Sequence, residues 1–119
     1  MIFEEVVVKV VEEVHGAIAA VIMGRDGISL SQHQAEGVAI DLESLGVEYS
    51  NLLSEIARAS QAIGSGEVHE VCLVTDQYLI LIRSISQEYF MALIMNPDGN
   101  LGKGRFMLRI NAPKVAAEL

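Results

Sequence analysis

The stretch that decides the fold runs from residue 68 to residue 95 and reads VHEVCLVTDQYLILIRSISQEYFMALIM. Three runs within it, 68–75, 78–85 and 88–95, are rich in aliphatic and aromatic residues and are separated only by Asp-Gln and Ser-Gln pairs. Apolar runs with such short connections predict three consecutive antiparallel strands. Because these strands carry few polar side chains, both faces of their sheet must be covered by helices.

A further hairpin lies upstream of these strands. The apolar run 17–23 and the alternating run 28–33 flank Gly24-Arg25-Asp26-Gly27, and Asp-Gly between two such runs is a strong hairpin signal. The first of these strands is expected to be buried on both faces and the second on one. The polar residues 34–41 give no clear structural signal.

Helical periodicity marks the remaining segments. Apolar residues recur every three or four positions over 2–14 and over 42–63, which predicts two amphipathic helices. A last helix is predicted to start near Lys103 and to run past Arg109. Pro113 is expected to kink or end it, because proline cannot donate the hydrogen bond to the Arg109 carbonyl.

The predicted order is therefore α-β-β-α-β-β-β-α in a single domain, residues 1–119. This order predicts an α/β sandwich with a five-stranded, mostly antiparallel meander. The long helix would cover one face of the sheet and the two terminal helices the other.

Composition excludes several classes of protein. The chain has 119 residues, 51% of them hydrophobic, and a formal net charge of −8. This apolar content excludes intrinsic disorder, and the acidic balance argues against nucleic-acid binding. Apolar runs are too short to span a membrane, and Glu4 and Glu5 stand where a leader peptide would carry basic residues. We expect a cytoplasmic protein with no membrane insertion.

Sites for catalysis, metals or cofactors are not expected. His69 and Cys72 are three apart on a predicted strand and so point to opposite faces, which argues against a metal site. Cys72 is expected to be buried and inert. The glycine-rich turn before the last helix departs from a phosphate-binding loop, with Pro97 in place of its first glycine and Gly104 in place of its hydroxyl residue. We predict no catalytic residue, no cofactor and no metal.

A strip of small residues on the long helix is a candidate partner surface. It lies beside Arg58, and its spacing of 4, 3 and 4 residues keeps it off the apolar stripe: Ser50, Ser54, Ala57 and Gln61. Small side chains let a partner approach closely. An ordinary solvent-exposed face remains the alternative.

The strand at 68–75 is a candidate dimer edge, because hairpin connectivity places it at the outside of the meander. It contains no proline or inward charge that would deter pairing with a second chain. Homodimerisation through it is expected, and cover by the chain itself remains the alternative. The candidate residues are Val68, Glu70, Val71, Cys72, Leu73 and Val74.

Three short motifs carry a family resemblance: GAIA at 16–19, RDG at 25–27 and NLGKGR at 100–105. With the element order, the chain resembles the roadblock/dynein-light-chain superfamily, and within it the MglB-type regulators of Ras-like GTPases. The resemblance implies a homodimer in which the third strands pair into one continuous sheet and the second helices lie side by side. It implies a non-catalytic platform for small GTPases or for motor and scaffold proteins.

The resemblance leaves two functions open. The first is a homodimeric adaptor that binds a Ras-like GTPase and modulates or scaffolds it. The second is a structural assembly subunit that binds a peptide or another roadblock chain without nucleotide dependence. In neither do we expect an arginine finger from Arg58, Arg105 or Arg109, because arginines on helices are more commonly solvated or ion-paired.

Overall fold

The computed structural model describes residues 2–119. Three helices and five strands follow one another in the predicted order, and the α/β sandwich is confirmed. The elements are α1 (Ile2–Glu13), β1 (Ala17–Gly24), β2 (Ser29–Gln34), α2 (Leu42–Ala62), β3 (Glu70–Val74), β4 (Leu79–Ser84), β5 (Tyr89–Met95) and α3 (Leu101–Ala116).

The sheet has the strand order β2-β1-β5-β4-β3, and every neighbouring pair is antiparallel. The expectation of one continuous meander is therefore wrong in one respect. The β1–β2 hairpin joins the β3–β4–β5 meander through β1 and β5, which are far apart in sequence. This arrangement buries β1 between two strands and leaves β2 and β3 as the two edges of the sheet.

The sheet separates two apolar layers, as its alternating side chains require. Residues such as Ile22, Leu81 and Leu93 pack with α1 and α3 on one face. Residues such as Val21 and Ile82 pack beneath α2 on the other face. The predicted placement of the long helix opposite the two terminal helices is confirmed.

The segments that contain two of the quoted motifs, GAIA and NLGKGR, contact each other at the end of the sheet. The Asn96 N–H donates to the Gly16 carbonyl at 2.8 Å, and the Asn100 N–H donates to the His15 carbonyl at 2.9 Å. Gly16 has a φ of +83°, and a Cβ at this position would overlap the Cα of Gly99. Glycine therefore lets the turn after α1 pack directly against the turn before α3.

The helix α3 is longer than predicted at both ends. It begins before Lys103 because the Asn100 Oδ1 accepts from the Lys103 N–H at 3.0 Å and caps the first turn. Pro113 does not end it. Only one backbone bond is lost near the C-terminus, while Ala112 and Val115 remain buried against the sheet and hold the last turn in place.

The strand β3 is shorter and more exposed than predicted. It is confined to five residues, and Cys72 is exposed rather than buried. The reason is its place at the edge: α3 lies over β4 and β5, so the surface of β3 beyond them stays open. Val71 and Leu73, on the face of α2, are half-buried.

The segment between β2 and α2 is ordered by a side chain. The carboxamide of Gln34 donates to the Ile40 carbonyl and accepts from the Ile40 N–H, both at 2.8 Å. Asp41 then caps α2 by accepting from the Ser44 N–H at 3.1 Å and from its hydroxyl at 2.7 Å. These hydrogen bonds lower the pKa of Asp41 below its ordinary value. Among residues 2–119, no helix has the length and apolar character needed to cross a membrane.

Candidate partner-binding surfaces

The helix α2 is anchored through its N-terminal half. Its buried residues are Leu42, Gly46, Ser50 and Leu53, and its later turns contribute no buried residue. The Ser50 hydroxyl donates to the Arg25 carbonyl, which ties the helix to the β1–β2 turn. Because Ser50 is buried, it does not share the exposed surface predicted for the strip.

The other members of the strip lie along the outer part of α2. Ser54 is exposed, and its hydroxyl donates to the Ser50 carbonyl at 3.2 Å. Ala57 is half-buried and Gln61 is exposed. Arg58 is exposed and bonded to Glu55 at 2.9 Å, an interaction that raises the pKa of this arginine. Four of the five predicted residues are thus brought together on the C-terminal half of α2.

A groove with a volume of about 400 Å³ runs beside these residues. Ala57 and Gln61 form part of one wall, and the 66–69 segment that leads into β3 forms another. The 84–87 turn between β4 and β5 completes it together with Arg25. The groove joins two surfaces that are predicted separately from the sequence, the α2 strip and the entry to β3.

Arg25 is a groove residue that sequence reasoning missed as a site. Its backbone N–H donates to the Glu88 carbonyl at 2.8 Å, and its Nη2 donates to the Ser84 hydroxyl at 3.1 Å. Its buried Nε has no hydrogen-bond partner among the residues described. The RDG motif is the available signal, but its sequence context indicates only a hairpin turn and the family resemblance. In the fold, the turn holds a guanidinium group against the groove.

The free edge of β3 can be defined from its hydrogen bonds. The Ser84 N–H donates to the His69 carbonyl, and the Thr75 N–H donates to the Tyr78 carbonyl, both at 2.9 Å. In an antiparallel ladder such bonds involve every second residue, so odd-numbered residues face β4. The N–H and C=O groups of Glu70, Cys72 and Val74 therefore point away from the sheet. Within residues 2–119, no strand pairs with this side.

The predicted edge residues have different surroundings. Val68 precedes the strand and lines the groove. Glu70 accepts from Arg105 of α3, at 3.0 Å from Nε and at 2.8 Å from Nη2, and this bonding raises the pKa of Arg105. Cys72 is exposed, and Val74 is 72% exposed. The edge therefore combines free backbone groups with uncovered apolar side chains, the properties of a strand that accepts another strand.

The three helical arginines that are not expected to act as arginine fingers have interaction partners within the chain. Arg58 is paired with Glu55 and Arg105 with Glu70. The Arg109 guanidinium lies 5.8 Å from the centre of the Phe106 ring. These environments agree with the expected solvated or ion-paired roles. In the described part of the chain, no group of three or more His, Cys, Asp or Glu side chains is placed to hold a metal ion.

Comparison with known protein families identifies the fold. The family model described as the Roadblock/LC7 domain matches residues 3–99. The chain belongs to the Roadblock/LC7 family. The family resemblance inferred from the short motifs is therefore confirmed. Roadblock/LC7 proteins of this kind are regulators and adaptors rather than classical enzymes.

Solved Roadblock/LC7 structures agree with this assignment. MglC from Myxococcus xanthus is 42% identical, with 100% of both chains covered and a TM-score of 0.71. MglB from the same organism is 13% identical over 98% of this chain and 94% of that one, with a TM-score of 0.88. The gliding protein MglB from Thermus thermophilus is 18% identical, covering 96% and 88%, with a TM-score of 0.82. A search of curated proteins found no match.

Proposed function

We propose that this Roadblock/LC7 chain is a non-catalytic homodimeric adaptor that binds a small Ras-like GTPase. The observation that carries the proposal is one groove bordered both by the α2 strip, through Ala57 and Gln61, and by the entry to the open β3 edge, through Val68 and His69. Dimerisation through that edge would bring this groove close to the seam between the two copies. The assignment to a family of regulators supports the same function.

The free backbone groups favour one register for the dimer. A two-fold axis at Cys72 would place Cys72 opposite Cys72 of the second copy and Glu70 opposite Val74 of the second copy. All the outward N–H and C=O groups of the strand then pair, and the two Glu70 carboxylates stay apart. A shift by one pair would leave one residue of each strand without a partner. The half-buried Val71 and Leu73 lie on the face where the two α2 helices would meet.

The proposed GTPase surface comprises Ser54, Ala57, Arg58 and Gln61 on α2 together with Arg25 in the groove. Small side chains on α2 leave the backbone accessible, and Arg25 offers guanidinium donors to a carboxylate or carbonyl group of the partner. Arg58 is exposed and could exchange Glu55 for an acidic partner residue. The adaptor would then hold the GTPase by surface contacts and leave nucleotide chemistry to the GTPase itself.

Calorimetric titration with small Ras-like GTPases from the same cell tests the proposal. Each GTPase is loaded with GDP or with a non-hydrolysable GTP analogue. We expect one nucleotide state to bind at least about tenfold more tightly than the other, since the switch regions of a GTPase differ between the two states. Ala57→Arg should weaken this binding by about tenfold or more, because the long side chain fills the groove.

The matched control is Ala59→Arg, which adds the same side chain at an exposed position two residues further along α2. This variant should bind like the parent chain. Absence of binding in both nucleotide states by the folded protein would contradict the proposal. Equal binding in both states would instead favour the structural assembly subunit, which needs no nucleotide dependence.

A further inference from the structure

The charge of this acidic chain is unevenly distributed. Half of its eight Lys and Arg residues lie within α3, and no Asp or Glu occurs between the ends of that helix. Lys103, Arg109 and Lys114 are exposed and, within residues 2–119, have no carboxylate within 4.0 Å. The outer face of α3 is therefore basic, although the chain as a whole carries a charge of −8.

This basic face has an aromatic centre. Phe106 is 47% exposed and lies on one line with Gly102 and Pro113, because residues three or four apart share a helix face. By the same helical spacing, the basic side chains flank this line on both sides, Lys103 and Lys114 on one, Arg105 and Arg109 on the other. Exposed aromatic rings with an arginine beside them, as Arg109 lies beside Phe106, are typical of protein interfaces rather than of a solvated helix face.

The helix α1 presents the complementary surface beside it. Its outer face carries four carboxylates and one lysine around the half-buried Val8. No ion pair shorter than 4.0 Å neutralises these carboxylates within the described chain. They belong to Glu4, Glu5, Glu12 and Glu13. Because α1 and α3 cover the same face of the sheet, one side of the molecule is divided into an acidic and a basic half.

We propose that the outer face of α3 binds the outer face of α1 in a second copy of this chain. A two-fold axis running along the helices would place α3 on α1 of the second copy and α1 on its α3, so that both contacts form at once. The helices have 12 and 16 residues, about 18 and 24 Å, and are similar enough in length to pair. Phe106 would enter the shallow depression at Val8 that the surrounding glutamates border.

Charge complementarity favours a second copy over other partners. An anionic membrane or a nucleic acid would meet the α1 carboxylates immediately beside the basic helix and would be repelled. A second copy brings the opposite charge to both helices. This contact uses a different surface from the β3 edge and goes beyond the adaptor function. Because each β3 dimer presents two such faces, dimers joined in this way would form assemblies of four chains or more.

Charge reversal tests the contact, with molecular mass measured by sedimentation velocity. At about 50 mM salt we expect a species of four chains or more, and at about 500 mM salt the mass should fall to that of the β3 dimer, because exposed charges are screened. Lys103→Glu with Arg109→Glu should abolish the larger species, and so should Glu5→Lys with Glu12→Lys. Mixing the two reversed proteins should restore it, since each supplies the charge that the other now requires.

The control Glu43→Lys with Glu48→Lys makes the same change in net charge as Glu5→Lys with Glu12→Lys, but on exposed positions of α2, and should leave the mass unaltered. Cys72→Pro separates this contact from the β3 dimer. In that variant the helix-face contact should still give a two-chain species that salt dissociates. A mass insensitive to both reversals, or no restoration on mixing, would overturn the proposal. Binding of the parent chain to phosphatidylserine vesicles that is lost in Lys103→Glu with Arg109→Glu would also overturn it.

Discussion

Gly16 and Gly37 show how one residue type serves two purposes. Both have a φ of +83°, a conformation that side-chain-bearing residues rarely adopt. Space around Gly37 is open, with no atom within 4 Å of an added Cβ, whereas at Gly16 the Cβ would collide with Gly99. The turn at Gly37 therefore needs glycine for its backbone conformation alone, and the turn at Gly16 also needs it for packing.

Substitution by alanine should separate these two effects. Gly37→Ala should lower the free energy of unfolding by about 1 kcal/mol, the usual result of forcing alanine to positive φ. Gly16→Ala should lower it by about 2 kcal/mol more, because the turns before β1 and α3 must also move apart. Urea denaturation of the two variants measures the difference. Equal losses would show that the contact with Gly99 contributes nothing.

Single residues were also where sequence reasoning was least reliable. Ser50 and Ser54 have the same type of side chain and adjacent places in the strip, yet Ser50 is buried under the β1–β2 turn and Ser54 is exposed. Periodicity could not distinguish them, because the partner that buries Ser50 is a carbonyl 25 residues away in sequence. The prediction that Cys72 is buried was wrong, because the apolar sequence around it does not show that α3 covers β4 and β5 and leaves β3 uncovered.

Among the elements, α2 depends on its cap. Asp41 accepts two hydrogen bonds from Ser44 at the N-terminus of this 21-residue helix, and these bonds favour the ionised carboxylate. The pKa of Asp41 is therefore lower in the folded chain than its ordinary value of 3.8. A group with a lowered folded pKa stabilises the fold above its unfolded pKa, and this contribution is lost as the pH falls through the folded pKa.

The pH dependence of Asp41→Asn should reveal this contribution. Asparagine retains a capping oxygen but has no charge, so the parent chain should melt at a higher temperature than the variant at pH 7. This difference in Tm should disappear as the pH falls from 3.8 through the lower folded pKa. Thermal unfolding followed by circular dichroism at a series of pH values provides the measurement. A difference that persists in strong acid would show that shape, not charge, stabilises the cap.

Element type and order could be read from the sequence because they depend on local periodicity. The edge position of β3 also followed from local information, the short connections between 68 and 95. The structure of residues 34–41 could not be predicted from local sequence, because it depends on hydrogen bonds from the Gln34 carboxamide to the backbone of Ile40 rather than on a repeating pattern. The β1–β5 pairing was missed for a similar reason, since it joins segments that only the folded sheet brings together.

At the scale of the whole molecule, the β3 edge determines the proposed dimer. Proline at position 72 removes an outward N–H without removing a hydrogen bond to β4, because the backbone N–H of Cys72 points to the free edge of the sheet and not to β4. Cys72→Pro should therefore give the monomer mass of 12.9 kDa under high-salt conditions, where the parent chain is expected to be a dimer. Cys72→Ser keeps the N–H and should remain dimeric. Light scattering measures both, and a dimeric proline variant would place the interface elsewhere.

The uneven attachment of α2 has a consequence for energetics. Its buried residues all lie between Leu42 and Leu53, so the last turns extend along the groove without an apolar anchor. Elements with few buried contacts open at a lower free energy than the core and can do so without unfolding it. The N-terminal half of α2 is therefore fixed to the sheet, whereas the C-terminal half can move relative to it. A ligand that binds the C-terminal half and displaces it would bend one helix without having to unfold the domain.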